Sequence, residues 1–381
     1  MPGSCFRHFA ATLPAVADIG NTKVAPEQSA SIADLLLTKL PASAEAYPQK
    51  LDLIRETILF VRLDAAAYRA ASFLDDRILG PATQGAWLPL GVVRDAAQRV
   101  RNAHPVHFIF HTGHVGSTLV SRLLDEMGGV LPLREPLPLR TLADAHDILA
   151  QPESLLSDGE FGRCLALFMT LWGRGDDATR CIVLKATSIA GRMAVPIMAS
   201  RADSKAIYMN LRAEPYLATL LAGQNSPIDL RGHGPGRIRR LQARVGVPLA
   251  PLHALSLGEL TAMSWLVESW TQDEAVARHP AQVLALDFDR FLADVEACMG
   301  RILAHFELSA DARQLSGLAR SPVLTRYSKA PEFAYTPAER SEILEQSRRA
   351  NREEIRKGMD WLEHIAQSDP AAAAVVNRLQ L

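Results

Sequence analysis

From Val106 onward, short apolar runs alternate with longer segments whose apolar positions recur every three or four residues. The apolar runs predict strands over 106–110, 129–133, 181–186, 205–211 and 282–287. The periodic segments predict helices over 117–127, 160–173, 190–200, 214–223, 259–278, 290–306 and 337–363. Buried strands separated by amphipathic helices imply an α/β fold, a parallel sheet flanked by helices on both faces. In such sheets ligands bind beyond the carboxyl ends of the strands. The loops that begin near His111, Arg134, Lys185, Arg212 and Asp287 are therefore the ones to search.

Upstream the pattern is shorter. Residues 32–40 and 51–58 have helical periodicity, 58–63 reads as a buried strand, and Asp64 is a suitable N-cap for a helix over 65–79. Residues 85–90 read as a loop or edge strand, followed by a helix to about 101. This organisation gives a loose N-terminal segment at 1–25, an α/β extension at 26–104, a main domain at 105–365 and a C-terminal tail at 366–381. The stretch 224–251 is rich in glycine, proline and arginine and reads as a long flexible insert. It is either a solvated loop or a basic lid carrying Arg231, Arg237, Arg239 and Arg240.

Composition narrows the classes. A net charge of -1 gives no bulk electrostatic reason to expect nucleic acid or a membrane surface as partner. The four cysteines are far apart and form no zinc or disulfide pattern, which fits a cytoplasmic protein. No apolar run approaches the roughly 20 residues that a membrane span takes, and Pro14 interrupts the weak apolar patch near the start.

The strongest chemical signal is VHFIFHTGHVGSTLV, Val106 to Val120. It reads as strand, glycine turn, helix. Unpaired N–H groups at the helix start, together with the helix dipole, favour a bound phosphate. The arrangement resembles a P-loop without its lysine, since Gly116 runs directly into Ser117 and Thr118. That omission points to a donor other than ATP with magnesium. His114 could add a cation to the cradle.

Four further groups stand at predicted strand ends. Glu135 precedes Pro136, which biases it to an extended backbone, and its carboxylate could act as a general base; otherwise it pairs with Arg134. Lys185 closes an apolar strand and could neutralise charge on a transferring group. Arg212 could clamp a second phosphate, with Thr219 two helical turns on. Asp287 and Asp289 resemble a magnesium-holding strand end, although helix capping explains them more simply. Thr325 to Pro331 adds hydroxyls and cations in one loop.

In this order of parts, residues 105 to 365 resemble the sulfotransferase family, which uses 3′-phosphoadenosine 5′-phosphosulfate. The family's loop P-[RK]-x-G-[ST]-[ST] is matched by His111, Thr112, Gly113, His114, Val115, Gly116, Ser117 and Thr118, with Gly113 at the proline position and His114 at the basic one. The resemblance implies that these residues hold the donor, that Arg212 and Thr219 hold its 3′-phosphate, and that Ser328 and Lys329 form a nucleotide-contacting turn. Thr219 stands one place short of the family's serine. Thr187 occupies the place of the histidine base of the cytosolic enzymes. Glu135 lies where the tyrosylprotein type carries its glutamate, so Glu135 is the expected base and Lys185 the electrostatic stabiliser. The resemblance implies a P-loop nucleotide-hydrolase-like fold and sulfuryl transfer to an acceptor hydroxyl of a peptide, glycan or small molecule. It implies no metal. Two other readings stay open: a P-loop kinase or triphosphatase with Asp287 on magnesium, and a non-catalytic nucleotide-binding scaffold.

Overall fold

The structure, a computed structural model, describes residues 26–101 and 103–380. The expected loose segment at 1–25 lies outside the described residues. The N-terminal part holds α1 (Pro26–Lys39), β1 (Ala46–Asp52), β2 (Thr57–Arg62), α2 (Ala65–Ala70), β3 (Gly85–Pro89) and α3 (Leu90–Ala97). Its three strands form an antiparallel meander in the order β1-β2-β3.

The main sheet has five parallel strands: β4 (Val106–His111), β5 (Val130–Arg134), β6 (Cys181–Lys185), β7 (Ala206–Asn210) and β8 (Val283–Asp287), in the order β5-β6-β4-β7-β8. Between and after them run α4 (Ser117–Asp125), α5 (Leu137–His146), α6 (Asp158–Trp172), α7 (Ala194–Ser200), α8 (Ala213–Ala222), α9 (Ser226–Gln242) and α10 (Leu257–Arg278). Beyond β8 follow α11 (Phe288–Ala293), α12 (Val295–His305), α13 (Ala312–Ala319), α14 (Pro337–Ala350), α15 (Arg352–Ser368) and α16 (Pro370–Gln380). Among the described residues no helix is long and apolar enough to cross a membrane.

Strand alternation sorts the core onto two faces. Ile109, Val183, Ile207 and Met209 pack with α4, α8 and α10 on one side. Phe108, Phe110, Ile182, Leu184 and Tyr208 pack with α6 on the other, in one cluster with Ile58 and Phe60 of β2. The extension therefore completes the core on that second face. Two buried arginines tie it down. Arg174 donates to the carbonyls of Leu40, Ser43 and Ala46 at 2.7–3.1 Å. Arg134 donates to those of Tyr68, Arg69 and Ala71, and to Ser121. Burial pushes both guanidinium pKa values down to about 10.

Several expectations are corrected. Residues 51–58 are the end of β1, a turn and the start of β2, because Leu51 and Ile58 face each other across the antiparallel pair. The helix capped by Asp64 stops at Ala70, and a short 3₁₀ turn at Asp76–Ile78 replaces its remainder. The stretch 224–251 is not a long loop: it carries α9, whose buried face is Leu230, Gly234, Arg237 and Leu241. Glycine and proline hid that spacing. The expected tail at 366–381 holds the end of α15 and then α16, which buries Ala372, Val375 and Val376.

Candidate active site

The carboxyl ends of β4, β5 and β6 open into a cleft of about 790 Å³, within the size range of ligand sites, ~300–1,000 Å³. Its floor is the turn after β4. Gly113 (φ 109°), His114 (φ 55°) and Gly116 (φ 72°) all take left-handed backbone, which turns the chain sharply into α4. No side chain caps that helix, so its first-turn N–H groups, those of Ser117 and Thr118 included, have no intrahelical partner. Gly116 has no room for a side chain, because a Cβ there would stand 2.0 Å from the Phe288 ring.

The two expected catalytic groups meet beside this turn. Lys185, the last residue of β6, is 1% exposed, and its ammonium donates to Glu135 Oε1 in an ion pair. Glu135 follows β5 with φ 59°. The extended backbone expected before Pro136 is thus replaced by a left-handed one. Such a conformation costs about 1–3 kcal/mol in a non-glycine residue and persists where surrounding contacts over-determine it. Here the contacts are the ion pair and a 2.7 Å bond from the Glu135 N–H to the Lys185 carbonyl. Arg134, the alternative partner of Glu135, is committed elsewhere, to Asp125 and the α2 carbonyls.

His111, at the end of β4, is buried and lines the cleft. Its Nε2–H donates to the Ala186 carbonyl at 2.9 Å, which leaves Nδ1 as a buried acceptor without a partner among the described residues. Burial, then the Lys185 charge, holds its pKa well below the ordinary value. His114 lines the cleft and its surface is exposed there. Enclosure there, then Lys329, Lys185 and Arg237, pushes its pKa down to about 3.

The remaining expected donor contacts divide. Val115, Ser117, Thr118, Thr219, Ser328 and Lys329 all line the cleft. The Thr219 hydroxyl donates to Pro215 O. The Ser328 carbonyl accepts from Arg122 at 2.6 Å. Lys329 has its pKa pushed down to about 8, by burial first and then by Lys185. Thr112 is fully buried outside the lining, where its carbonyl accepts from Tyr216 and its N–H donates to Met209 O. Arg212 is exposed at the N-cap of α8, outside the cleft. Asp287 accepts from the Arg290 N–H as the cap of α11, and Asp289 pairs with Arg340.

The extension, expected to shape the acceptor pocket, gives one wall through residues that the sequence did not single out. Phe73, Asp75 and Arg77 line the cleft. Phe73 lies between cations, with the Arg77 guanidinium 3.4 Å and the Lys185 ammonium 5.9 Å from its ring centre. Sequence reasoning also missed Arg340 and Leu344 of α14, whereas Arg237 of α9, one of the four arginines of the expected basic lid, does line the cleft. The α14 residues belong to a segment with no motif, brought in by tertiary packing.

No protein-family model matches the chain, and no curated protein sequence does. Among the solved structures it is similar to are sulfotransferases. Mouse sulfotransferase SULT7A1 complexed with PAP is 10% identical, with a TM-score of 0.38, covering 72% of this chain and 88% of that one. Sulfotransferase STF1 from Mycobacterium tuberculosis H37Rv is 14% identical, with a TM-score of 0.37, covering 86% and 97%. Retinol dehydratase in a complex with retinol and PAP is 13% identical, with a TM-score of 0.30, covering 87% and 95%.

Proposed function

We propose that the protein transfers a sulfuryl group from 3′-phosphoadenosine 5′-phosphosulfate to an acceptor hydroxyl. The observation that carries this reading is the Lys185–Glu135 pair at the mouth of a glycine turn that lacks a P-loop lysine. The cleft suits an anionic nucleotide. Gly116 brings bare backbone to its floor, first-turn N–H groups are free of side-chain caps, and Lys329 and Lys185 supply positive charge. The donor, when bound, supplies the sulfuryl group and leaves as the bisphosphate.

The chain's own residues do the rest. Glu135 accepts the acceptor's proton as the new S–O bond forms. Lys185 faces the oxygen that gains charge as the old S–O bond breaks. Positioning and charge stabilisation account for the rate, as in phosphoryl transfer. Lys329, Ser117 and Thr118 hold the phosphate end. Arg212 stands outside the cleft, and Arg340 of α14, paired with Asp289, is among the arginines that line it. Asp287, which a magnesium-dependent kinase would need, is used as a helix cap.

Glu135→Gln is expected to lower kcat by about 10²–10⁴, with binding of 3′,5′-adenosine bisphosphate within twofold of wild type. Wild-type turnover in that variant would remove Glu135 from the reaction.

A further inference from the structure

Facing the cleft, α9 buries an arginine among apolar residues. Arg237 shares the inward face of the helix with Leu230, Gly234 and Leu241 and is 2% exposed, yet it lines the cleft. Its Nε donates to Glu268 Oε1 at 3.3 Å, and the same carboxylate oxygen accepts from Arg240 at 2.8 Å. One buried carboxylate thus serves two guanidinium groups. Arg237 Nη1 has no hydrogen-bond partner among the described residues, and the half-exposed Asp229 stands 3.9 Å away, beyond hydrogen-bond reach. Asp229 also faces His233 at 3.4 Å.

A buried donor left without a partner is costly, and a charged one more so. A second cation, the exposed Arg140 of α5, lines the same cleft. Phe73, Leu137 and Ile189 add apolar lining. We infer that the acceptor carries a carboxylate, which Arg237 receives while an apolar spacer lies along Phe73, Leu137 and Ile189. The planar fork of a guanidinium matches a carboxylate, and Glu268 fixes the orientation of that fork in advance. This inference rests on the sulfuryl-transfer reading of the same cleft.

The test uses the full chain loaded with 3′,5′-adenosine bisphosphate, titrated with 3-(4-hydroxyphenyl)propionate and separately with its amide. The acid is expected to bind about tenfold more tightly than the amide. Arg237→Gln should bring the two together, Arg237→Lys should restore part of the preference, and bisphosphate affinity should stay within about twofold. If Arg237→Gln does not fold, Arg140→Gln at the exposed position should reduce the preference in part, and the wild-type comparison still decides. Equal binding of acid and amide, or no binding of either, overturns the inference. So does a preference that survives in Arg237→Gln, or a loss of bisphosphate affinity as large as that of the acid. If wild type fails to bind the bisphosphate, the sulfuryl-transfer reading fails by itself. The acid–amide comparison without nucleotide then still decides whether Arg237 is a carboxylate site.

Discussion

Single residues in the cleft take conformations and neighbours that ordinary packing would not select. Gly116 combines φ 72° with a ring placed where a Cβ would go. Gly116→Ala must bear about 1–2 kcal/mol of left-handed backbone strain and must displace Phe288. It is expected to weaken bisphosphate binding at least tenfold in a calorimetric titration; wild-type affinity would separate the turn from the donor site. The sequence already pointed to this turn, because a strand, two glycines and two hydroxyls fall within one short stretch. It pointed equally to Lys185 and Glu135 as strand-end groups. Their direct contact was not legible, because the pairing depends on β5 and β6 being neighbours, which no local pattern states. Arg212 shows the converse: a strand-end arginine in the expected place whose side chain remains in solvent.

At the scale of elements, the antiparallel meander and the parallel sheet are joined by buried arginines as well as by apolar contact. Arg174 satisfies three carbonyls of the α1–β1 connection and the start of β1 and also donates to Leu171 O. Arg174→Met would take this donor from the buried carbonyls of Leu40 and Ala46, at about 1–3 kcal/mol each, and from the partly buried one of Ser43. A loss of at least about 3 kcal/mol is expected by urea denaturation; a loss under about 0.5 kcal/mol would show that the extension does not depend on this tie. Strand and helix order in the main sheet was readable from periodicity, since β4 to β8 are short apolar runs and their helices are amphipathic. The failures share one physical cause. In 51–58 a tight turn interrupts two strands so that Leu51 and Ile58 mimic helical spacing, and in 226–242 glycines and a proline sit inside a helix that tertiary packing sustains. Local propensity was overridden in both.

For the whole molecule, buried histidines couple stability to pH. Burial holds the His107 pKa down at about 4 and that of His111 well below its ordinary value. Unfolding returns both to about 6.5, so the unfolded chain binds more protons below that pH. Stability is full above about 6.5 and falls as pH drops toward 4, by up to about 1.4 kcal/mol per pH unit for each of these two groups. Urea midpoints at pH 7, 6 and 5 should decline accordingly; a constant midpoint would contradict the burial of these rings. The central claim is that the cleft takes an adenosine 3′,5′-bisphosphate and not ATP with magnesium. Its most direct test is calorimetric titration of the full chain with each ligand, in wild type and in Lys329→Met. The expected result is binding of the bisphosphate alone, weakened at least about tenfold in the variant. Preferential binding of ATP with magnesium, or bisphosphate binding indifferent to Lys329, would contradict it.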